Sequence, residues 1–343
     1  MEVKSGKDLP VIGITMGDPA GIGPEIIIKA LGQSYGLIPC IPVVLGDMAT
    51  LERAARVVKW GGCLKSISGP PDARYLPDHI HVISPKGLEE YSVEPGRPTV
   101  EGGKASAVFI EKAVSLAVSG QISAMVTCPI NKAMLNSAGY PFEGHTQMIA
   151  SLTGCDSYVM MLAGERLRVA LVTIHVPLAR VPKLITMASV YKTIVITHEA
   201  LARDFGLSRT KIGVAGLNPH CGEGGLFGRE EEEVIGPAVE KARSEGLDVH
   251  GPFPGDTLFW RAAQGQFDAV VAMYHDQGLG PLKLLHFDDA VNITLGLPIV
   301  RTSVDHGTAY ELAGSGKASH TSLLRALAMA AMIANNRKVA QRL

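Results

Sequence analysis

The chain has almost no net charge: 32 Lys and Arg are offset by 33 Asp and Glu, a formal −1 at pH 7. No overall field therefore draws it to nucleic acid or to an anionic membrane surface. A disulfide framework is also missing. The five cysteines, at positions 40, 63, 128, 155 and 221, form no C-x-x-C pair, and an odd number suits a reducing compartment, so the cytoplasm is the expected location. The first residues, Met-Glu-Val-Lys-Ser-Gly-Lys-Asp, lack the apolar stretch of a signal peptide. The longest apolar run, 326–334, is about half the ~18 residues that a span requires, so no membrane partner is expected. No internal repeat, low-complexity tract or disordered linker interrupts the chain.

What is present is a large apolar complement, 46% hydrophobic against 19% charged over 343 residues. That length is too great for one ordinary core and short for three domains, so two are expected. Residues 11–16 read as a buried strand, and Gly17-Asp-Pro-Ala-Gly-Ile-Gly-Pro24 as a tight loop into a helix that Pro24 can start. Strands at 41–45, 79–83 and 122–127 alternate with helices at 48–60 and 104–119, which predicts a doubly wound α/β fold. His79 and His81 are expected at the surface. The glycines at 17, 21 and 23 do not fit G-x-G-x-x-G and no Gly-Lys-Ser/Thr follows, so both the dinucleotide fingerprint and the Walker loop are absent. A need for backbone freedom is reason enough for those glycines. Farther on, 158–162 and 168–174 read as a hairpin, 190–205 and 321–337 as helices, and 211–217 and 269–274 as strands. The run Arg229-Glu-Glu-Glu-Glu233 reads as a solvated first turn that complements a helix dipole.

Three histidines, His175, His220 and His275, each follow an apolar strand-like run. Ligands of open α/β sheets bind beyond the carboxyl ends of the strands. One histidine there is ordinarily a satisfied buried group. Three in the same topological position, on neighbouring parallel strands or across a dimer, can converge on a borderline metal such as zinc at ~2.0 to 2.1 Å and leave coordination positions open for catalysis. Lys283, Asn292 and Arg301 follow. They are either surface groups or a site for a doubly anionic small molecule. His145 and Thr146 precede a helix over 147–152, with Thr146 as its cap and the first amides free for an anion. Asp256, at the start of another helix, is either an N-cap or an acid–base group.

Gly17-Asp-Pro-Ala-Gly-Ile-Gly-Pro-Glu25, Gly144-His-Thr146, Gly216-Leu-Asn-Pro-His220, Gly222-Glu-Gly-Gly225, Met273-Tyr-His-Asp-Gln-Gly278, Val291-Asn-Ile-Thr-Leu-Gly-Leu-Pro298 and Arg301-Thr-Ser-Val-Asp-His-Gly-Thr-Ala309 together resemble the 4-hydroxythreonine-4-phosphate dehydrogenase family of vitamin B6 biosynthesis, in order, from residue 11 to about 330. The resemblance implies a two-domain α/β fold similar to isocitrate and isopropylmalate dehydrogenases, with three-layer α/β/α domains, a site in the cleft between them, and a homodimer that shares it. It implies a first domain of 1–126 plus 293–343 that carries the dinucleotide loop, and a second of 127–292 that carries the metal ligands and dimer contacts. NAD would be held by His306, Gly307, Thr308 and Ala309 with Gly314 and Gly316. A divalent metal (zinc, magnesium or cobalt) would be held by His175, His220 and His275, and substrate by His145, Thr146, Lys283, Asn292 and Arg301. The implied reaction oxidises the C3 hydroxyl of 4-hydroxythreonine 4-phosphate, and the 3-oxo acid then loses carbon dioxide to give 3-amino-2-oxopropyl phosphate; Asp256, as the acid–base group singled out above, is the expected proton acceptor.

Gln147, where an acidic residue is expected, Cys221 in place of alanine, and the wording of 280–289 depart from that pattern. They resemble a sister branch acting on D-threonate or D-erythronate 4-phosphate, whose product would be dihydroxyacetone phosphate. A regulatory metal-binding protein and a zinc hydrolase or lyase are the rival classes; neither would reduce NAD.

Overall fold

The computed structural model describes residues 9–88 and 93–340. Its contacts form two compact units, Met1–Asp156 with Leu297–Asn335 and Ser157–Gly296 with Asn336–Leu343. The first opens with β1 (Val11–Thr15), α1 (Gly23–Gln33), β2 (Ile41–Leu45), α2 (Met48–Val57), β3 (Cys63–Ser66), β4 (His79–Ile83), α3 (Val100–Val118), β5 (Ala124–Thr127), α4 (Lys132–Ser137) and α5 (His145–Leu152). The second contains β6 (Val159–Ala163), β7 (Arg168–Leu171), α6 (Val181–Leu184), α7 (Met187–Arg203), β8 (Ile212–Ala215), α8 (Gly236–Ser244), β9 (Val249–Phe253), α9 (Gly255–Ala263), β10 (Ala269–Ala272), α10 (His275–Leu285) and β11 (Val291–Leu295). β12 (Arg301–Ser303) and α11 (Thr321–Ala340) follow. The expected α/β class is thus the observed one.

In the first unit the strand order is β3-β4-β2-β1-β5-β12, with every pairing parallel. A parallel strand is covered on both faces, which is why β1 and β2 read as near-continuous apolar runs and why Ile12, Ile14, Val43 and Val44 are fully buried. The same geometry corrects the expectation for one of the two β4 histidines. β4 lies between β3 and β2 and packs against α1, so His81 is 2% exposed rather than at the surface. Helix starts follow their capping residues: Asp47 accepts from the Thr50 amide (2.7 Å), Thr99 accepts from the Gly102 amide (3.0 Å), and Thr186 and Ser189 form a reciprocal capping box at α7.

Chain growth reverses at β1, with β2 on one side and β5 on the other, so the loops after β1 and β5 meet at a topological switch point. There the Asp18 amide donates to the Pro129 carbonyl at 2.8 Å. Gly17 has φ +73°, and a Cβ on it would stand 2.3 Å from the Pro129 oxygen, so only glycine permits this approach.

The second unit has the order β11-β6-β7-β10-β8-β9. β11/β6 and β6/β7 are antiparallel, the latter forming the expected hairpin, whereas β7/β10, β10/β8 and β8/β9 are parallel. Val169, Leu171, Val270, Leu258 and Leu282 fill its core. The resemblance implies that 127–156 belongs with this unit. That segment packs with the first instead, because α4 and α5 lie on α3. Beyond Asn335 the chain groups with the second unit, where Asn336 Nδ2 donates to the Asp204 carbonyl and Arg337 to the Asp204 carboxylate.

Candidate active site

β7, β10 and β8 are adjacent and parallel, with β10 in the middle, and the three singled-out histidines all lie beyond their carboxyl ends. The chain after β7 stays attached to β10: the Val172 amide donates to the Ala272 carbonyl (2.9 Å), and the Thr173 amide and hydroxyl both donate to the Met273 carbonyl (3.1 and 2.8 Å). This pairing delivers His175 to His275, whose ring centroids are 5.6 Å apart. His275 is the first residue of α10, and its Nδ1 lies 2.7 Å from Asp276 Oδ1. A carboxylate at Nδ1 favours the tautomer with a bare Nε2, the form a metal takes.

His220 arrives differently. It follows β8 in a tight turn where His220, Cys221 and Glu223 all have left-handed φ of 49°, 53° and 45°. Such non-glycine conformations persist only where the surroundings over-determine them. Here Glu231 supplies that constraint: its Oε1 accepts from the Leu217 and Asn218 amides, both at 2.7 Å, and its Oε2 from Asn218 Nδ2 at 3.0 Å. The acidic run 230–233 is therefore not uniformly solvated, since Glu231 is 4% exposed and faces inward from a π-turn ahead of α8. His220 itself is exposed, with its ring 6.5 Å from that of Phe227. Among the described residues no three of His, Cys, Asp or Glu already stand grouped for a metal. The donor chemistry and the shared sheet edge nevertheless fit a borderline divalent cation, with His175 and His275 the pair already close.

A cavity of about 680 Å³ opens beside this edge, lined in part by Gly216, Asn218, Asp256, Phe259, Tyr274 and Gln277. Asp256 is exposed in the first turn of α9, which begins after Pro254 without any side-chain cap, so the capping alternative for Asp256 is not realised. Lys283 is half-buried in the last turn of α10. Asn292 sits within β11 opposite Leu162, and its buried Oδ1 has no hydrogen-bond partner, an acceptor that a ligand donor would satisfy.

The first unit holds the remaining residues. Arg301 opens β12, is 3% exposed, and donates from Nη2 to Thr127 Oγ1 at 2.8 Å. Burial pulls its pKa down to about 10. His145 begins α5 after Gly144 (φ +153°), so Thr146 is the second helical residue and not the cap. Burial, helped by the positive charge of Arg301, holds the His145 pKa well below the usual imidazole range. The ring hydrogen-bonds the Cys128 backbone and leaves its buried Nε2 without a partner. A neutral imidazole that donates through one nitrogen presents the other as an acceptor.

The 306–316 loop is held by the loop after β1. The Ile22 amide donates to the Thr308 carbonyl (3.0 Å), Tyr310 Oη to Asp18 Oδ2 (2.6 Å), the Gly314 amide to Glu25 Oε1, and the Gly316 amide to Glu25 Oε2 (2.7 Å). Lys29 Nζ donates to the Gly316 and Ala318 carbonyls at 3.1 and 2.6 Å. Gly314 and Gly316 thus commit their N–H groups to a buried carboxylate, while a Cβ added at Gly307 would meet nothing within 4 Å. His306 Nε2 is buried without a partner. An open glycine and an orphaned ring nitrogen on one loop fit a bound dinucleotide. Glu25, Asp18, Tyr310, Glu231 and Gln277 were not among the residues that spacing singled out. Each acts on backbone or on a distant side chain, and no local pattern records that.

A family model described as pyridoxal phosphate biosynthetic protein PdxA matches residues 39–330. The chain belongs to the PdxA family. It is 50% identical over 323 residues to a 4-hydroxythreonine-4-phosphate dehydrogenase of Desulforapulum autotrophicum, covering 94% of this chain and 95% of the relative. To a D-threonate 4-phosphate dehydrogenase of Cupriavidus necator it is 48% identical over 330 residues, covering 96% and 98%. The crystal structure of the Klebsiella pneumoniae 4-hydroxythreonine-4-phosphate dehydrogenase superposes with a TM-score of 0.88 at 41% identity, covering 95% and 98%. As a PdxA-family protein, the chain is a dehydrogenase. None of its helices among the described residues is long and apolar enough to cross a membrane.

Proposed function

We propose that this PdxA-family dehydrogenase oxidises and decarboxylates a 4-phosphorylated 3-hydroxy acid, 4-hydroxythreonine 4-phosphate, to 3-amino-2-oxopropyl phosphate and carbon dioxide, with NAD and a divalent metal. The observation that carries this reading is the placement of His175, His220 and His275 beyond three adjacent parallel strands, in a chain about half identical to enzymes named for that substrate. A cation on these histidines would supply Lewis-acid polarisation of the hydroxyl to be oxidised and charge stabilisation for the decarboxylation. NAD, against the 306–309 turn, would supply the hydride acceptor.

This chain's own residues do the rest. Arg301, a guanidinium kept charged in a buried setting, pairs with an anionic end of the substrate, and Lys283 with the other. The first amides of α5, at His145 and Thr146, favour the same negative charge. His145, neutral and with Nε2 as an acceptor, takes a hydrogen bond from a substrate O–H or N–H. The Asn292 Oδ1 is a second acceptor. Asp256, exposed on the cavity wall, is the proton acceptor for the hydroxyl. A second copy of the chain would cover apolar side chains that the second unit leaves 65–86% exposed, Trp260, Phe287 and Leu284. The five free cysteines agree with a reducing cytoplasm.

Gln147 favours a second reading, oxidation and decarboxylation of D-threonate or D-erythronate 4-phosphate to dihydroxyacetone phosphate and carbon dioxide. It hydrogen-bonds Glu143 at 2.8 Å and offers no charge to a substrate ammonium, which these hydroxy acids lack. The test is turnover at 340 nm with NAD and each phosphorylated acid, before and after a strong chelator. Undiminished turnover in metal-free protein overturns the metal assignment, and absence of NAD reduction with all three acids overturns the function.

A further inference from the structure

The metal reading above leaves open what fixes the backbone that carries His220 and His275, and Gln277, together with the Glu231 carboxylate already described, answers that. Gln277, in the first turn of α10, accepts from the Met273 amide through Oε1 at 2.7 Å and donates through Nε2 to the Gly216 carbonyl at 2.6 Å. It thereby ties the chain just before His275 to the chain that leaves β8 for His220. Glu231 then fixes the next two residues by accepting from the Leu217 and Asn218 amides. The loop closes on that carboxylate. A Cβ at Gly216 would stand 3.0 Å from Glu231 Oε1, and one at Gly222 3.0 Å from Glu231 Oε2. The left-handed residues His220 and Cys221 lie between these two glycines.

We infer that Gln277 and Glu231 are positioning residues for divalent-cation binding, with Gln277 setting the spacing between the His275 and His220 strand ends and Glu231 holding His220 in its left-handed turn. The inference rests on the metal reading of the three histidines. Neither side chain needs to touch the cation. Each works by removing the freedom of backbone that a ligand must otherwise lose on binding. A π-turn at Glu231–Ile235 aims the carboxylate inward, an irregularity of the kind that clusters at functional sites.

The test is a Co²⁺ titration of the full-length protein, followed through the visible d–d bands and by calorimetry, on wild type, Gln277→Met, Glu231→Gln and His175→Ala. Met replaces Gln277 with similar shape and neither hydrogen bond. Gln at 231 retains an acceptor for the two amides but loses the charge and opposes Asn218 Nδ2 with a second donor. Gln277→Met is expected to weaken Co²⁺ binding roughly 10- to 100-fold and to shift the d–d bands, with Glu231→Gln intermediate. NAD affinity should stay near wild type, and the urea midpoint should fall only by what the unpaired Met273 amide and Gly216 carbonyl cost, leaving the protein folded for the titration. Co²⁺ affinity and spectra unchanged in Gln277→Met, alongside loss of binding in His175→Ala, overturn the inference and leave the metal reading intact. A wild-type protein that takes up no Co²⁺ overturns the metal reading, and the inference with it. If Glu231→Gln fails to fold, the Gln277→Met result decides.

Discussion

Replacing Arg301 with Met should make the protein at least as stable and far less active. The guanidinium is 3% exposed, and burial lowers its pKa from 12.5 to about 10. At about 1.4 kcal/mol per pKa unit, the fold disfavours the charged side chain by roughly 3 kcal/mol. Because the folded pKa lies below the unfolded one, that cost is present at every pH below about 10 and is relieved only as pH rises through it. Met removes the cost and forfeits the hydrogen bond to Thr127 and the other contact of the guanidinium, worth about 1 kcal/mol each, so a net gain of up to about 1 kcal/mol is expected in urea denaturation. An anionic substrate group held by charge-assisted bonds of about 1.5–3 kcal/mol each loses one or two of them, which lowers kcat/KM by roughly 10–10⁴. Stability and activity thus move in opposite directions. A variant that unfolds more than about 2 kcal/mol more easily while kcat/KM stays within about threefold would refute this, since Arg301 would then be part of the scaffold.

Glu25→Gln should raise the KM for NAD about tenfold with kcat nearly unchanged, because both amides that Glu25 accepts from lose a charged partner, one of them then faces an NH2 donor, and the 306–316 loop loosens; an unchanged KM would disconnect that loop from the dinucleotide. Burial depresses the pKa of His145, and also those of His81 and His320. The folded protein therefore binds fewer protons than the unfolded chain, and stability is full above the unfolded value of about 6.5 and falls as pH drops below it. Urea midpoints measured from about pH 8 to 5 should show that decline, less steeply in His145→Gln, and a wild-type midpoint flat over the range would exclude it. For Asp204, burial pushes the carboxyl pKa up, but hydrogen bonds from Arg337 and Arg203 outweigh it and the net direction is down. Its stabilisation is present above about pH 3.9 and is lost as pH falls through the folded value. Asp204→Ala should cost about 3–5 kcal/mol at neutral pH, because Arg337 is left largely buried beside the vacated position; a loss below about 1 kcal/mol in urea denaturation would count against a stabilising role for the Asp204–Arg337 pair.

Much of this was legible from the residues alone. Period and length of the apolar runs placed the strands around Val11, Ile41, Val169, Ile212 and Val270 and the helices between them, because burial on both faces of a parallel sheet demands continuous hydrophobic stretches. The same runs showed that His175, His220 and His275 follow strand ends. What the chain could not show by itself was that β7, β10 and β8 are neighbours, that His81 is interior, or that Thr146 lies inside its helix. Nor did it show that Glu231, one acid in a run of four, turns inward while Glu232 and Glu233 face solvent. Those outcomes depend on which strands pair and which amides are left without partners. Hydrogen bonds such as Glu25 to Gly316 or Gln277 to Gly216 join residues remote in sequence, and no local propensity encodes a partner that far away. Sequence pattern determined the class of fold and the chemistry at hand; tertiary packing decided which polar groups were left to hold the loops and which were left for ligand.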